Sequence, residues 1–102
     1  MGDPVTATDA RLLRLGDADN ILIARESIAA GTKLLVDGVA VVTDADLRMG
    51  FKVAAADLEP DTVVLRLGVP IGRTTRRVCR GGLVHTHNLA SQYMRTHARG
   101  EA

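Results

Sequence analysis

Two imidazoles and a carboxamide fall within four residues in the segment Gly82-Leu-Val-His-Thr-His-Asn-Leu-Ala90, and the whole chain has only three histidines. If the apolar lead-in is a strand running through His87, alternation puts His85 and His87 on one face. Their Cα atoms would then lie roughly 6.5 Å apart, within reach of a shared metal, carboxylate or sugar hydroxyl. Imidazole titrates near neutrality and ligates divalent metals, so the pair suits proton transfer or metal binding. Two ligands alone do not make a metal site, and an HxH pair at a strand end is equally compatible with ordinary hydrogen-bonded surface. Asn88 faces the other way with Thr86 and is the natural residue to end the strand or cap the next element.

The scaffold for this segment is small. A chain of 102 residues makes one domain whose core is too modest to enclose a deep active site, so catalysis calls for a second chain. Aromatics are 2% of the residues, Phe51 and Tyr93, and the net charge is +1. Stacking platforms and a strongly basic surface are both missing, which argues against nucleic acid as a partner. Arg73, Arg76, Arg77 and Arg80 do cluster, as a solvated strand face or a docking patch for an acidic partner. The single cysteine, Cys79, excludes an internal disulfide framework, and the N-terminus lacks a secretory pattern, so the expected compartment is the cytoplasm. Cys79 itself is either a thiol activated by its arginine neighbours or a small turn residue. No apolar stretch approaches the ~18–20 residues that span a bilayer.

One seven-residue device recurs: an apolar residue, two variable residues, Gly or Asp, two more, then an apolar residue opening a strand. It occurs at Ile28/Gly31/Leu34, Leu47/Gly50/Val53, Leu58/Asp61/Val64 and Val78/Gly81/Val84. The Gly or Asp position can take a positive φ, and the flanking apolar residues can fold over the turn toward a common core. The copies fall in two pairs, Ile28 with Leu47 and Leu58 with Val78, which implies a corner-rich β domain with an internal pseudo-twofold. Strands are expected at 11–15, 21–26, 33–36, 39–42, 52–55, 63–67, 71–77 and 83–87. Asp37-Gly38 reads as a two-residue hairpin turn, Gly68 to Gly72 as a bend around Pro70, and Leu89 to Arg95 as one or two helical turns. Residues 1–10 read as a disordered tail, 11–89 as the domain, and 90–102 as a short helix or flexible tail.

Four ordered stretches resemble the SAF domain of the altronate and galactarate dehydratase family. They are Asp19-Asn-Ile-Leu-Ile-Ala24, Ile28-Ala-Ala-Gly-Thr32, Leu47-Arg-Met-Gly-Phe-Lys-Val-Ala54, and Gly68-Val-Pro-Ile-Gly-Arg-Thr-Thr75 leading to Val84-His-Thr-His-Asn-Leu89. The resemblance covers roughly Leu12 to Leu89. It implies a mostly β, β-clip fold and a much larger lyase partner, fused or separate, that with this domain removes water from a sugar acid or a related group from a hydroxy acid. It also implies a divalent metal, often iron, held mainly by the partner. Since the chain ends soon after the HTHN stretch, a separate small subunit, inactive alone, is the expectation.

On that resemblance, His85 and His87 are the candidate catalytic residues and metal ligands, and Lys52, Arg73 and Asn88 the candidate substrate-binding residues. Elimination of water β to a carboxylate needs a base for the α-proton, stabilisation of the enediolate and an acid for the leaving hydroxide. Histidine can serve the first and last, and Lys or Arg can hold the carboxylate. The chain departs from the family pattern at Phe51, where relatives carry histidine, and at Val69, where a polar residue is usual. Phe51 reads either as a core plug under the corner at Gly50 or as a mark of altered or lost catalysis. The competing reading is a non-catalytic SAF-type module that binds carbohydrate or protein. Exposed strand edges also leave room for a homodimer in isolation.

Overall fold

The computed structural model describes residues 7–91. Among these residues nine short strands run in order β1 (Leu12–Leu13), β2 (Ile21–Ala24), β3 (Lys33–Val36), β4 (Val39–Val42), β5 (Lys52–Ala54), β6 (Val63–Arg66), β7 (Val69–Thr74), β8 (Leu83–Val84) and β9 (Leu89–Ser91). All pairing is antiparallel. A central sheet has the order β1-β2-β5-β8, β3 pairs with β4 in a two-stranded sheet, and β6, β7 and β9 form the third sheet.

The central sheet is apolar on both faces, which is why β2 reads Ile-Leu-Ile-Ala without alternation. Successive residues feed opposite cores. Leu12, Leu22, Ala24 and Val53 join Leu34 and Val36 of the β3–β4 hairpin on one side, while Ile21, Ala54 and Val84 join Val64 of β6 on the other. β3, covered on one face alone, alternates exposed and buried, with Leu34 and Val36 inward and Lys33 and Leu35 outward.

The four corners form as expected. Their central residues all have positive φ: Gly31 at 85°, Gly50 at 91°, Asp61 at 64° and Gly81 at 82°. All eight flanking apolar residues are buried, Ile28, Leu34, Leu47 and Val53 in the first core and Leu58, Val64, Val78 and Val84 in the second. Corners meet pairwise through the bridges Ile28 to Leu47 and Leu58 to Val78. The two halves also repeat their polar bonds. The Thr43 hydroxyl accepts the N–H of Thr32 and donates to the Ala29 carbonyl, and Thr74 does the same with Thr62 and Glu59. Each of these threonines is buried, and each hydroxyl adds a partner at a corner whose carbonyl, Ala29 or Glu59, also accepts the hydroxyl of Thr32 or Thr62.

The halves differ by one residue. Val64 pairs with Gly72 but Leu65 with Pro70, leaving Ile71 as a bulge in β7. Pro70 sits beyond the stretch of β7 that pairs with β9, Gly72 to Thr74, so its missing N–H costs no ladder bond.

Several boundaries depart from the sequence reading. The segment after Asn88 is not helical: Leu89–Ser91 are strand β9, laid along β7, because β7 offers an unpaired edge that a short apolar segment satisfies better than an isolated helical turn does. The rest of the expected helix lies outside the described residues. The bend expected at Gly68 to Gly72 is instead a two-residue turn at Leu67 and Gly68, with φ of 54° and 74°, followed directly by β7. Of the expected N-terminal tail, residues 1–6 lie outside the described residues. Residues 7–10 are bonded along β3, Asp9 donating its N–H to the Leu35 carbonyl and Gly38 donating to the carbonyl of Ala7.

Gly72 permits the close approach of β9, since a Cβ there would run into the carbonyl oxygen of Ala90. Gly72→Ala is therefore expected to cost about 1–3 kcal/mol through displacement of β9, measurable by denaturant unfolding. A variant as stable as the parent would mean that β9 is not tightly seated.

Candidate functional site

β8 stops at Val84, and residues 85–88 form a turn. The expected strand to His87 is thus corrected, and with it the placement of both imidazoles on one strand face. Asn88 is the physical reason. Its side-chain oxygen accepts the N–H of His85 at 2.9 Å, its Nδ2 donates to the Leu83 carbonyl at 2.8 Å, and its own N–H donates to the carbonyl of His85 at 3.0 Å. A buried carboxamide has replaced the next ladder bonds and reversed the chain. The Asn88 carbonyl then accepts the N–H of Thr75, which sets the start of β9. Asn88 therefore positions the turn, and its amide is engaged by the backbone.

The turn gives the two histidines different surroundings. His85 is exposed, with its ring stacked on Phe51 at a centroid distance of 5.4 Å and an interplanar angle of 26°. Phe51 also packs against the first core, as the core-plug reading required. His87, likewise exposed, lines an open groove of about 450 Å³ together with Asp44, Arg76, Arg77, Cys79 and Leu83.

Lys52 lies on β5, opposite Ile23 on one side and Val84 on the other, so it stands one position from the start of the histidine turn. Arg73 does not line the groove. Its Nη1 lies 3.1 Å from the Asp61 carbonyl and 3.5 Å from the carboxylate, at the third corner. The arginine run that suggested one face is divided among tasks. Arg77 donates to Glu59 at 3.1 Å, meets Asp57 at 3.3 Å and reaches the Cys79 sulfur at 3.2 Å. The hydrogen bond to Glu59, with the negative charge around it, raises its pKa, so it stays cationic. Arg80 donates to the carbonyls of Val36 and Ala55 and ties the two halves together. Arg76 has no ion pair among the described residues and opens on the groove. Sequence reasoning did not single out Asp44 or Arg76 for the site, since nothing local shows that residue 44 comes beside residue 87.

Among the described residues no group of three or more His, Cys, Asp or Glu side chains is placed to hold a metal ion. Within these residues His85 or His87 could therefore supply at most part of a metal centre. No helix among the described residues is long and apolar enough to cross a membrane.

Paired corners around a two-faced sheet, with an imidazole turn closing one end, define a small all-β domain that presents a shallow site. Over residues 10–92 the chain matches the family described as the altronate/galactarate dehydratase SAF domain, and it belongs to that family. It is 28% identical over 76 residues to an altronate dehydratase of Bacillus subtilis (strain 168) and 32% identical over 76 residues to an altronate dehydratase of Escherichia coli (strain K12). Each alignment covers 74% of this chain and 15% of the relative. The chain thus spans a small part of the length of the curated relatives it matches.

Proposed function

We propose that this chain is the small SAF-type subunit of a carbon–oxygen lyase that dehydrates a sugar acid or related hydroxy acid, with the site completed by a larger lyase body. The observation that carries the reading is the family match through residues 10–92, a span that contains the histidine turn. The open groove beside His87 supports it, because a surface of this depth suits one wall of a shared site better than a closed pocket.

In this reading His87 moves a proton to or from the substrate, either the acidic α-proton or the one that accompanies the leaving hydroxide. Lys52 and Arg76 supply positive charge for the carboxylate. Arg73, 41% exposed at its side chain, can leave its weak contact with Asp61 for a substrate only if the larger body brings the substrate to that corner. Asn88 holds the turn. The divalent metal expected for such a lyase is, in this reading, held mainly by the larger body, with His85 or His87 as a contributing ligand.

The test is capture of the tagged full chain from its native lysate, followed by mass spectrometry and dehydration assays with altronate and galactarate. A larger lyase chain that co-purifies and turns over a sugar acid only with this chain present is the expected result. Full turnover by that partner without this chain would overturn the catalytic assignment.

A further inference from the structure

One charged residue of the groove has no task in the proposed reaction. Asp44 directly follows Thr43, the buried threonine bonded to Thr32 and Ala29, and Arg76 lies just beyond Thr74, its counterpart in the second half. Both charges are therefore carried on anchored points of the duplicated fold. They reach one groove because the end of β4 packs on the fourth corner, where a Cβ at Gly81 would overlap the side chain of Val41. Asp44 lines that groove with Arg76 and His87, beside the apolar side chains of Ala45, Val78 and Leu83.

The two opposite charges share the groove without pairing. Among the described residues neither the Asp44 carboxylate nor the Arg76 guanidinium makes an ion pair, with the other or with any third group. Arg77, the other arginine of the groove, is committed to Glu59 and Asp57, and Lys52 is not among the lining residues. A ligand thus meets one unpaired cation and one unpaired carboxylate. The guanidinium suits a carboxylate, which it can grip with two parallel N–H bonds. A carboxylate accepts hydrogen bonds and donates none, so Asp44 suits hydroxyl groups and repels a second carboxylate. With about 450 Å³, the groove is large enough for a small polyhydroxy acid to meet both charges at once. We infer that Asp44 is a specificity-determining residue: it accepts hydroxyls of the substrate chain and selects an acid with one carboxylate over its dicarboxylate counterpart. This role rests on the lyase reading, in which Arg76 holds the substrate carboxylate and His87 moves the proton.

Steady-state kinetics of the assembled enzyme with altronate, which has one carboxylate, and galactarate, which has two, test the role. The expected kcat/KM for altronate exceeds that for galactarate at least ~10-fold, the direction set by like charges brought together. Asp44→Asn keeps the size and one acceptor oxygen but removes the charge, and should shrink that ratio at least ~10-fold, mainly by raising kcat/KM for galactarate. Asp17→Asn removes the same charge from an exposed side chain outside the groove and should leave the ratio where it was. A substitution that merely loosened the fold would lower both values together. Equal use of the two acids, a preference for galactarate, or a ratio that Asp44→Asn fails to move or Asp17→Asn moves equally overturns the role of Asp44 and leaves the lyase reading standing. Turnover of neither acid overturns both.

Discussion

His87→Ala in the assembled enzyme is expected to lower turnover by about 10²–10⁴-fold, the range typical for loss of a positioned general acid or base. Its unfolding transition should stay where it was. The argument rests on the proposed lyase role and on geometry: His87 lines the groove, and no hydrogen bond to its side chain holds the fold together among the described residues. His85→Ala should cost less, because that ring is stacked on Phe51 and is not among the groove-lining residues. Rate against pH separates a proton-transfer role from a structural one, since loss of a general acid or base removes a limb of the profile. Equal and modest losses for both variants, with the profile unchanged, would reduce the turn to a scaffold.

Asp19→Asn is expected to lower the melting temperature at neutral pH by about 10 °C, because one buried carboxylate holds two loops. Its Oδ2 accepts the N–H groups of Gly16 at 2.9 Å and Leu67 at 2.8 Å, and its Oδ1 accepts that of Gly68 at 2.8 Å. Leu67 is a non-glycine residue at φ 54°, a conformation that persists only when its surroundings enforce it. A carboxamide offers one acceptor oxygen to three donors and turns an N–H₂ toward the others. Burial alone would push the Asp19 carboxyl up, but the N–H groups of Gly68, Leu67 and Gly16 and the charge of Arg14 outweigh it, and the pKa falls below the ordinary 3.8. A depressed folded-state value means that the ionised group stabilises the fold above the ordinary carboxyl range, and that this stability is lost as pH falls through the depressed value. Asp9, hydrogen-bonded by Arg11, and Asp37, hydrogen-bonded by Arg14, are lowered as well and add to the same acid limb. Thermal unfolding of parent and variant from neutral to acid pH checks this: the two curves should converge as pH falls. Parallel curves would mean that Asp19 is not ionised in the folded protein.

How far each feature can be read from the chain depends on whether its cause is local. The corners are legible because a glycine or aspartate at positive φ between two apolar residues carries its own signature, and so is the Asp37-Gly38 turn. Its counterpart at Leu67-Gly68 is not, since leucine hides a left-handed turn whose enforcement comes from Asp19, forty-eight residues away. The histidine turn is hidden for a related reason. Alternation assumes that the ladder continues, whereas the side chain of Asn88, three residues downstream of His85, takes the ladder's place. Asn88 does end the strand, as its residue type suggests, but it reaches back to do so ahead of its own position. β9 and the groove are invisible in the sequence because each depends on contacts between distant segments: Gly72 to Thr74 with Leu89 to Ser91, and Asp44 with the histidine turn.

The central sheet is a single layer whose adjacent residues belong to different cores: Val53 of β5 faces one, and Ala54, the next residue, faces the other. Neither core can therefore melt while the other stays intact, because loosening one face frees the strand that walls the second. Although the domain is built as a duplication, heat should take it apart in a single absorption peak, with calorimetric and van't Hoff enthalpies in agreement. A chain cut between its two halves would leave each fragment without one wall of its own core.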